Sequence, residues 1–227
     1  MTERVLGNDF WYKTLPVLSI GMIIWVVTTL LLGSYLSLGA SGMSLVLMIA
    51  SIIFYIIFWI LAIVLALYKK NLFSMIFFFI ASFFSGVISS TLIFIASSIF
   101  RFEVVLGIFL AAFLSGLGVT IGLLILGLLF RERITEKWLY PLILFGLLLI
   151  IIEGSLILIF GYNPYILITS IFVLIWLFGV ILWDGSRLPN TIKEGYWMVA
   201  VVDIFLDMFN AIIRIFIILI ETLSDFE

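Results

Sequence analysis

Seven long apolar runs separated by short polar stretches organise this chain: Leu15–Leu36, Ser44–Leu67, Leu72–Ser98, Val104–Phe130, Trp138–Phe160, Tyr165–Trp183 and Trp197–Ile220. Each has about the twenty residues that a helix needs to cross ~30 Å of hydrocarbon. None shows the in/out alternation of a membrane-barrel strand, so the runs predict helices. The connectors are short, which predicts antiparallel hairpins between neighbours. The pattern therefore predicts an all-α integral membrane protein, with residues 1–227 forming a single transmembrane domain of seven transmembrane helices.

The last run differs from the others. Asp203, Asp207, Asn210 and Arg214 interrupt it at offsets of 0, 4, 7 and 11. At about 3.6 residues per turn those offsets fall on one stripe of a helix. A row of charges is costly against lipid, so the stripe must face protein or water. This predicts a central last helix surrounded by the other six. In the fourth run, Gly107, Ala111, Ser115, Gly118 and Gly122 have the small-residue spacing that lets helices approach closely. Close packing within the chain accounts for that row better than a dimer interface does.

Composition agrees with a membrane protein: 66% of the 227 residues are hydrophobic and the mean hydropathy is +1.43. There is no cysteine and no histidine. That excludes disulfides, thiolate sites, zinc sites and histidine-based catalysis, and no enzyme is expected. No resident cofactor is expected either, and nucleic acid is not an expected partner. Hard-cation chemistry remains open through carboxylates, carbonyls and water.

Charge placement says more than the net charge of −2. With the N-terminus inside, Arg4, Lys13, Lys69, Lys70, Arg131, Arg133, Lys137, Arg187 and Lys193 are cytoplasmic, nine of the eleven basic residues. The acidic tail, Glu221 to Glu227, then lies outside. Trp11, Tyr12, Trp138, Tyr140, Trp183 and Trp197 fit an interfacial aromatic belt. The apolar run after Arg4 and Lys13 is long enough to span, unlike a signal-peptide core. A multi-pass protein of the cell membrane is expected, with its N-terminus cytoplasmic, its C-terminus outside and the bilayer as its first partner.

Two further acids join the stripe. Asp184 closes the sixth run, and the short segment Gly185–Gly195 makes the sixth and seventh helices close neighbours. Two carboxylates brought together cannot both ionise cheaply, so they share a proton. Such a pair latches two helices when it holds the proton and pushes them apart when doubly charged. Counting rise along the helix puts Asp207 about 15 Å into its run and Asp203 one turn nearer the start, so either could be the partner of Asp184. Glu153, about 22 Å into the fifth run, and Arg214, about 26 Å into the seventh, fall at similar depth and are expected to form a structural ion pair.

These residues resemble a known family. Asp207-Met-Phe-Asn210, the Leu182-Trp183-Asp184 step, the 23-residue spacing between the two aspartates and Phe83-Phe84-Ser85-Gly86-Val87 are similar to motifs of the Bax inhibitor-1 (transmembrane Bax inhibitor motif) family. The chain departs from that pattern in four places. It has Thr91 near the family's proline and lacks an acid in the second run. Arg214 falls one turn early, and Asp203 stands where a small or apolar residue is usual. These departures mark a divergent, prokaryotic-like member. The resemblance implies a pH-sensitive calcium leak through a bundle around the last helix, with Asp184 and Asp207 as the pH-sensing pair. It makes calcium a permeant or transiently bound ion, for which Asp203 and Asp207 are candidate ligands and Asp203 and Asn210 a candidate pathway. Protons are then the second partner. A non-conducting interaction or stress-response protein and a proton-coupled transporter are the alternatives, although no inverted repeat favours the transporter.

Overall fold

The computed structural model describes residues 2–37, 45–160 and 165–224. Ser44 and the tail residues Asp225 to Glu227 lie outside the described residues. Among the described residues the long elements are all α-helices and there is no strand. In order they are α1 (Thr2–Asp9), α2 (Leu15–Ser37), α3 (Leu45–Leu67), α4 (Asn71–Ala96), α5 (Phe102–Leu129), α6 (Leu139–Phe160), α7 (Ile166–Lys193) and α8 (Trp197–Ser224). A π-helical turn, Phe10–Thr14, joins α1 to α2. Pro16 has no N–H to give the Tyr12 carbonyl, and the hydrogen-bond ladder widens just before it, with the Leu15 N–H reaching back to the Phe10 carbonyl.

Six stretches among the described residues are long and apolar enough to cross a membrane: Leu6–Leu36, Ala50–Leu67, Asn71–Ala96, Phe102–Leu129, Glu136–Leu156 and Ile166–Lys193. The chain is a multi-pass membrane protein. The expected seventh span, α8, is long enough at 28 residues. It stands apart because every 18-residue stretch of it holds three charged side chains among Asp203, Asp207, Arg214 and Glu221.

The chain folds into two compact units. The first comprises residues 1–106 and 188–206, the second residues 107–187 and 207–227. In the first unit α4 packs along α2 and α3. The contact with α2 is close because α4 presents small side chains. Ser82, Ser85 and Ser89 are buried there, and a Cβ on Gly86 would lie 2.5 Å from the Thr28 Cβ and 2.8 Å from the Trp25 carbonyl oxygen. The Trp25 indole N–H donates to the Ser89 hydroxyl at 2.9 Å. The rings of Trp25, Trp59 and Phe78 gather round Phe205, with centroids 5.9, 5.3 and 5.3 Å away. Gly86→Val should lower stability by about 3 kcal/mol, since neither Thr28 nor the α2 backbone can give way. An unfolding temperature in detergent equal to wild type would refute that packing.

Two helix ends of the first unit close in the same way. The Tyr196 N–H bonds the Thr191 carbonyl (2.9 Å) and the Gly195 N–H the Ile192 carbonyl (3.0 Å), with Gly195 at φ 86°. The Lys70 N–H bonds the Leu65 carbonyl (2.8 Å) and the Lys69 N–H the Ala66 carbonyl (2.9 Å), with Lys69 at φ 55°. Both are Schellman turns, in which the residue past the helix adopts the left-handed conformation. Glycine does so freely, whereas a lysine there carries a strain of roughly 1 kcal/mol. The lysine side chain has compensating contacts: its ammonium donates to the Glu194 carbonyl at 2.9 Å and lies 4.5 Å from the centre of the Tyr196 ring.

In the second unit, Leu149 of α6 and Val173 and Leu177 of α7 form a core with Phe145 and Trp176. The Trp176 indole covers Gly146 and donates to the Leu142 carbonyl at 2.8 Å. Phe109 of α5 meets Phe216 of α8 edge to face, with centroids 5.9 Å apart.

Candidate functional site

The chemistry of the second unit begins with where α7 ends. The polar stretch Asp184-Gly-Ser-Arg-Leu-Pro-Asn reads as a connector, but α7 continues through it to Lys193, with Pro189 inside the helix. Asp184 is therefore not at a helix end. It lies nine residues before the last residue of α7, and Asp207 lies ten residues after the first residue of α8. Two antiparallel helices joined by a short turn bring such positions level.

Asp184 and Asp207 share a side-chain hydrogen bond. Of the two candidates, Asp207 is thus the residue the structure brings to Asp184. A hydrogen bond between two carboxyl groups needs a proton on one of them, because an ionised carboxylate only accepts. The pair is well enclosed, with Asp207 5% exposed and Asp184 half-buried. Arg187, one turn beyond Asp184, is close enough to act on it electrostatically, and its guanidinium lies 5.4 Å from the centre of the Trp183 ring. Trp183 is buried, unlike Trp11, Tyr12, Trp138 and Tyr140, which are exposed as a belt requires; Trp197 is half-buried. Trp183 is therefore an interior residue that carries the Arg187 guanidinium against its ring. The expected interfacial position of Trp183 is not what the structure shows, because α7 runs on past it to Lys193.

Two turns further along α8, Arg214 holds Glu153 of α6 with both terminal nitrogens, at 2.8 and 3.0 Å. The expected pairing is present, and its fork-to-fork geometry is the strong form of the interaction. Arg214 also donates to the Ser170 hydroxyl of α7 at 3.4 Å, a partner that no spacing or motif singles out. The pair links α6 to α8 and leaves both side chains about a fifth exposed, 20% for Glu153 and 23% for Arg214.

The rest of the stripe is less uniform. Asn210 is exposed, Asp203 is half-buried and belongs to the first unit, and Asp207 is the fully buried member. Among the described residues, no three acidic side chains converge into a group that would hold a metal ion.

No family model, curated protein or solved structure matches the chain. What can be said of its function rests on these two polar pairs and on the membrane setting.

Proposed function

We propose that the protein is a divergent relative of the Bax inhibitor-1 family and acts as a pH-sensitive cation leak, with calcium as the permeating ion. One observation carries this reading: the hydrogen bond between Asp184 and Asp207, in the interior and on adjacent antiparallel helices. Holding one proton, the pair ties α7 to α8. Losing it leaves two carboxylates in repulsion and separates the helices. The leak accordingly rises as pH rises.

Topology supports the reading. With α8 as a seventh crossing, its charges turned to the protein interior, the chain starts in the cytoplasm and ends outside, and the basic residues concentrate on the inner side. The Glu153–Arg214 pair then neutralises two charges deep in the bilayer and serves the fold rather than permeation. Exposed Asn210, one turn past Asp207, is the polar group an ion meets on α8 beside the pair. Calcium is cargo here, in passing contact with carboxylates and not stored by them.

The purified protein in calcium-loaded vesicles should release calcium faster at alkaline than at acidic pH, and empty vesicles should not. Flux that matches empty vesicles at every pH would refute the leak. It would favour the reading in which the polar pairs serve only to pack the helices of an interaction protein.

A further inference from the structure

Among the described residues of the second unit, the buried Thr120 hydroxyl on α5 takes part in neither polar pair. Close backbone approaches fix what this face of α5 meets. A Cβ on Gly116 would run into Ile212 of α8, and a Cβ on Gly185 of α7 would lie 2.5 Å from the Leu124 carbonyl oxygen. Thr120 is four residues from both Gly116 and Leu124, so it occupies the same face, one turn from each. On α7, Asp184 immediately precedes Gly185. Its hydrogen bond to Asp207 places that residue on the Leu124 side of Ile212. The aspartate pair therefore lies between the two levels that flank Thr120, with α5 as the third helix against it.

Thr120 is fully buried, 0% exposed, and its hydroxyl has no hydrogen-bond partner among the described residues. Other buried hydroxyls in this protein behave differently. Those of Thr29, Ser82, Ser85 and Ser89 each donate to the carbonyl one turn back, at 2.8 to 2.9 Å. A buried hydroxyl without a partner is destabilising, and valine would fill the same space at no such cost. The nearby charged groups are few. Arg187 is beside Asp184, and α5 has no ionisable residue beyond Glu103 in its first turn.

We propose that Thr120 is a positioning residue held in reserve for the open pair: its hydroxyl donates to the carboxylate released when the Asp184–Asp207 hydrogen bond breaks. The inference rests on the proton-sharing pair proposed above. It assigns to α5 the role of stabilising the separated state, and it explains why a polar group is kept where the closed state gives it nothing to bond.

Two substitutions separate the hydroxyl from the methyl group. Thr120→Val keeps the shape and removes the donor; Thr120→Ser keeps the donor and removes a methyl. In calcium-loaded vesicles, at a pH where the wild type leaks, Thr120→Val should reduce the leak roughly tenfold to a hundredfold, the worth of a hydrogen bond to a charged group. The same variant should unfold in detergent at a higher temperature than wild type. Thr120→Ser should keep a leak close to wild type and unfold at a lower temperature. A packing role predicts the reverse order in both measurements, because serine would leave the cavity. A wild-type leak in folded Thr120→Val overturns the role of Thr120 and leaves the pair standing, as does a Thr120→Val that unfolds below Thr120→Ser. A wild-type protein with no leak of its own overturns the pair and this inference together.

Discussion

Asp207→Asn is expected to abolish the pH response of the leak. Asparagine fills the same space and still hydrogen-bonds Asp184, but it can never become a second negative charge. In the native pair, loss of the shared proton sets two unit charges a few ångströms apart. At ~4 Å and an effective dielectric of about 20, they repel by about 4 kcal/mol, roughly a thousandfold in the ratio of separated to joined states. The sign follows directly: the joined state is favoured at low pH, where the proton is held, and is lost as pH rises. Calcium release from vesicles containing Asp207→Asn should stay low and flat across the range in which the wild type responds, and Asp184→Asn should match it. Asp203→Asn should retain the wild-type response, since Asp207 is the residue that shares a hydrogen bond with Asp184. A full pH response in either partner's asparagine variant would sink the latch.

The second large effect is on stability. Arg214→Met removes the cation that holds Glu153 and leaves a carboxylate in an apolar setting between α6 and α8. Breaking an enclosed ion pair from one side costs about 3 to 5 kcal/mol, most of it the penalty of the stranded charge. Replacing both residues, Glu153→Leu with Arg214→Met, strands nothing and should recover most of that loss. The double variant should also keep its pH response, because the aspartate pair is untouched. Unfolding temperatures of the two single variants and the double variant measure the coupling between the residues. Additive losses would mean that the pair contributes nothing as a pair.

Most of the helical layout was legible in the sequence, because in a bilayer the length of an apolar run sets the length of a helix. Six of the seven predicted runs both begin and end within a few residues of the observed helices. The exception is instructive. The sixth run stops at Trp183 by hydropathy, yet α7 continues ten residues to Lys193. Hydropathy marks where a helix leaves lipid, not where its backbone hydrogen bonds end. That error made Asp184 a terminal residue and left its partner undecided between Asp203 and Asp207. Once the helix is extended, equal distance from the turn selects Asp207. Glu153 and Arg214 could be paired by depth alone, since each needed an opposite charge and few were available. Thr120 and Ser170 gave no such signal, because one hydroxyl in an apolar run resembles any other until its neighbours are known.

The twin helix ends at Lys69 and Gly195 bear on how the α7–α8 hairpin can move. Lys69 grips the turn through a backbone carbonyl and an aromatic face, 2.9 Å from one and 4.5 Å from the other, with no carboxylate involved. The tip of the hairpin is thereby tied to the neighbouring turn by bonds that do not depend on an acid's ionisation. A turn fastened through a backbone carbonyl and a ring face keeps its geometry when the carboxylates of the protein gain or lose protons.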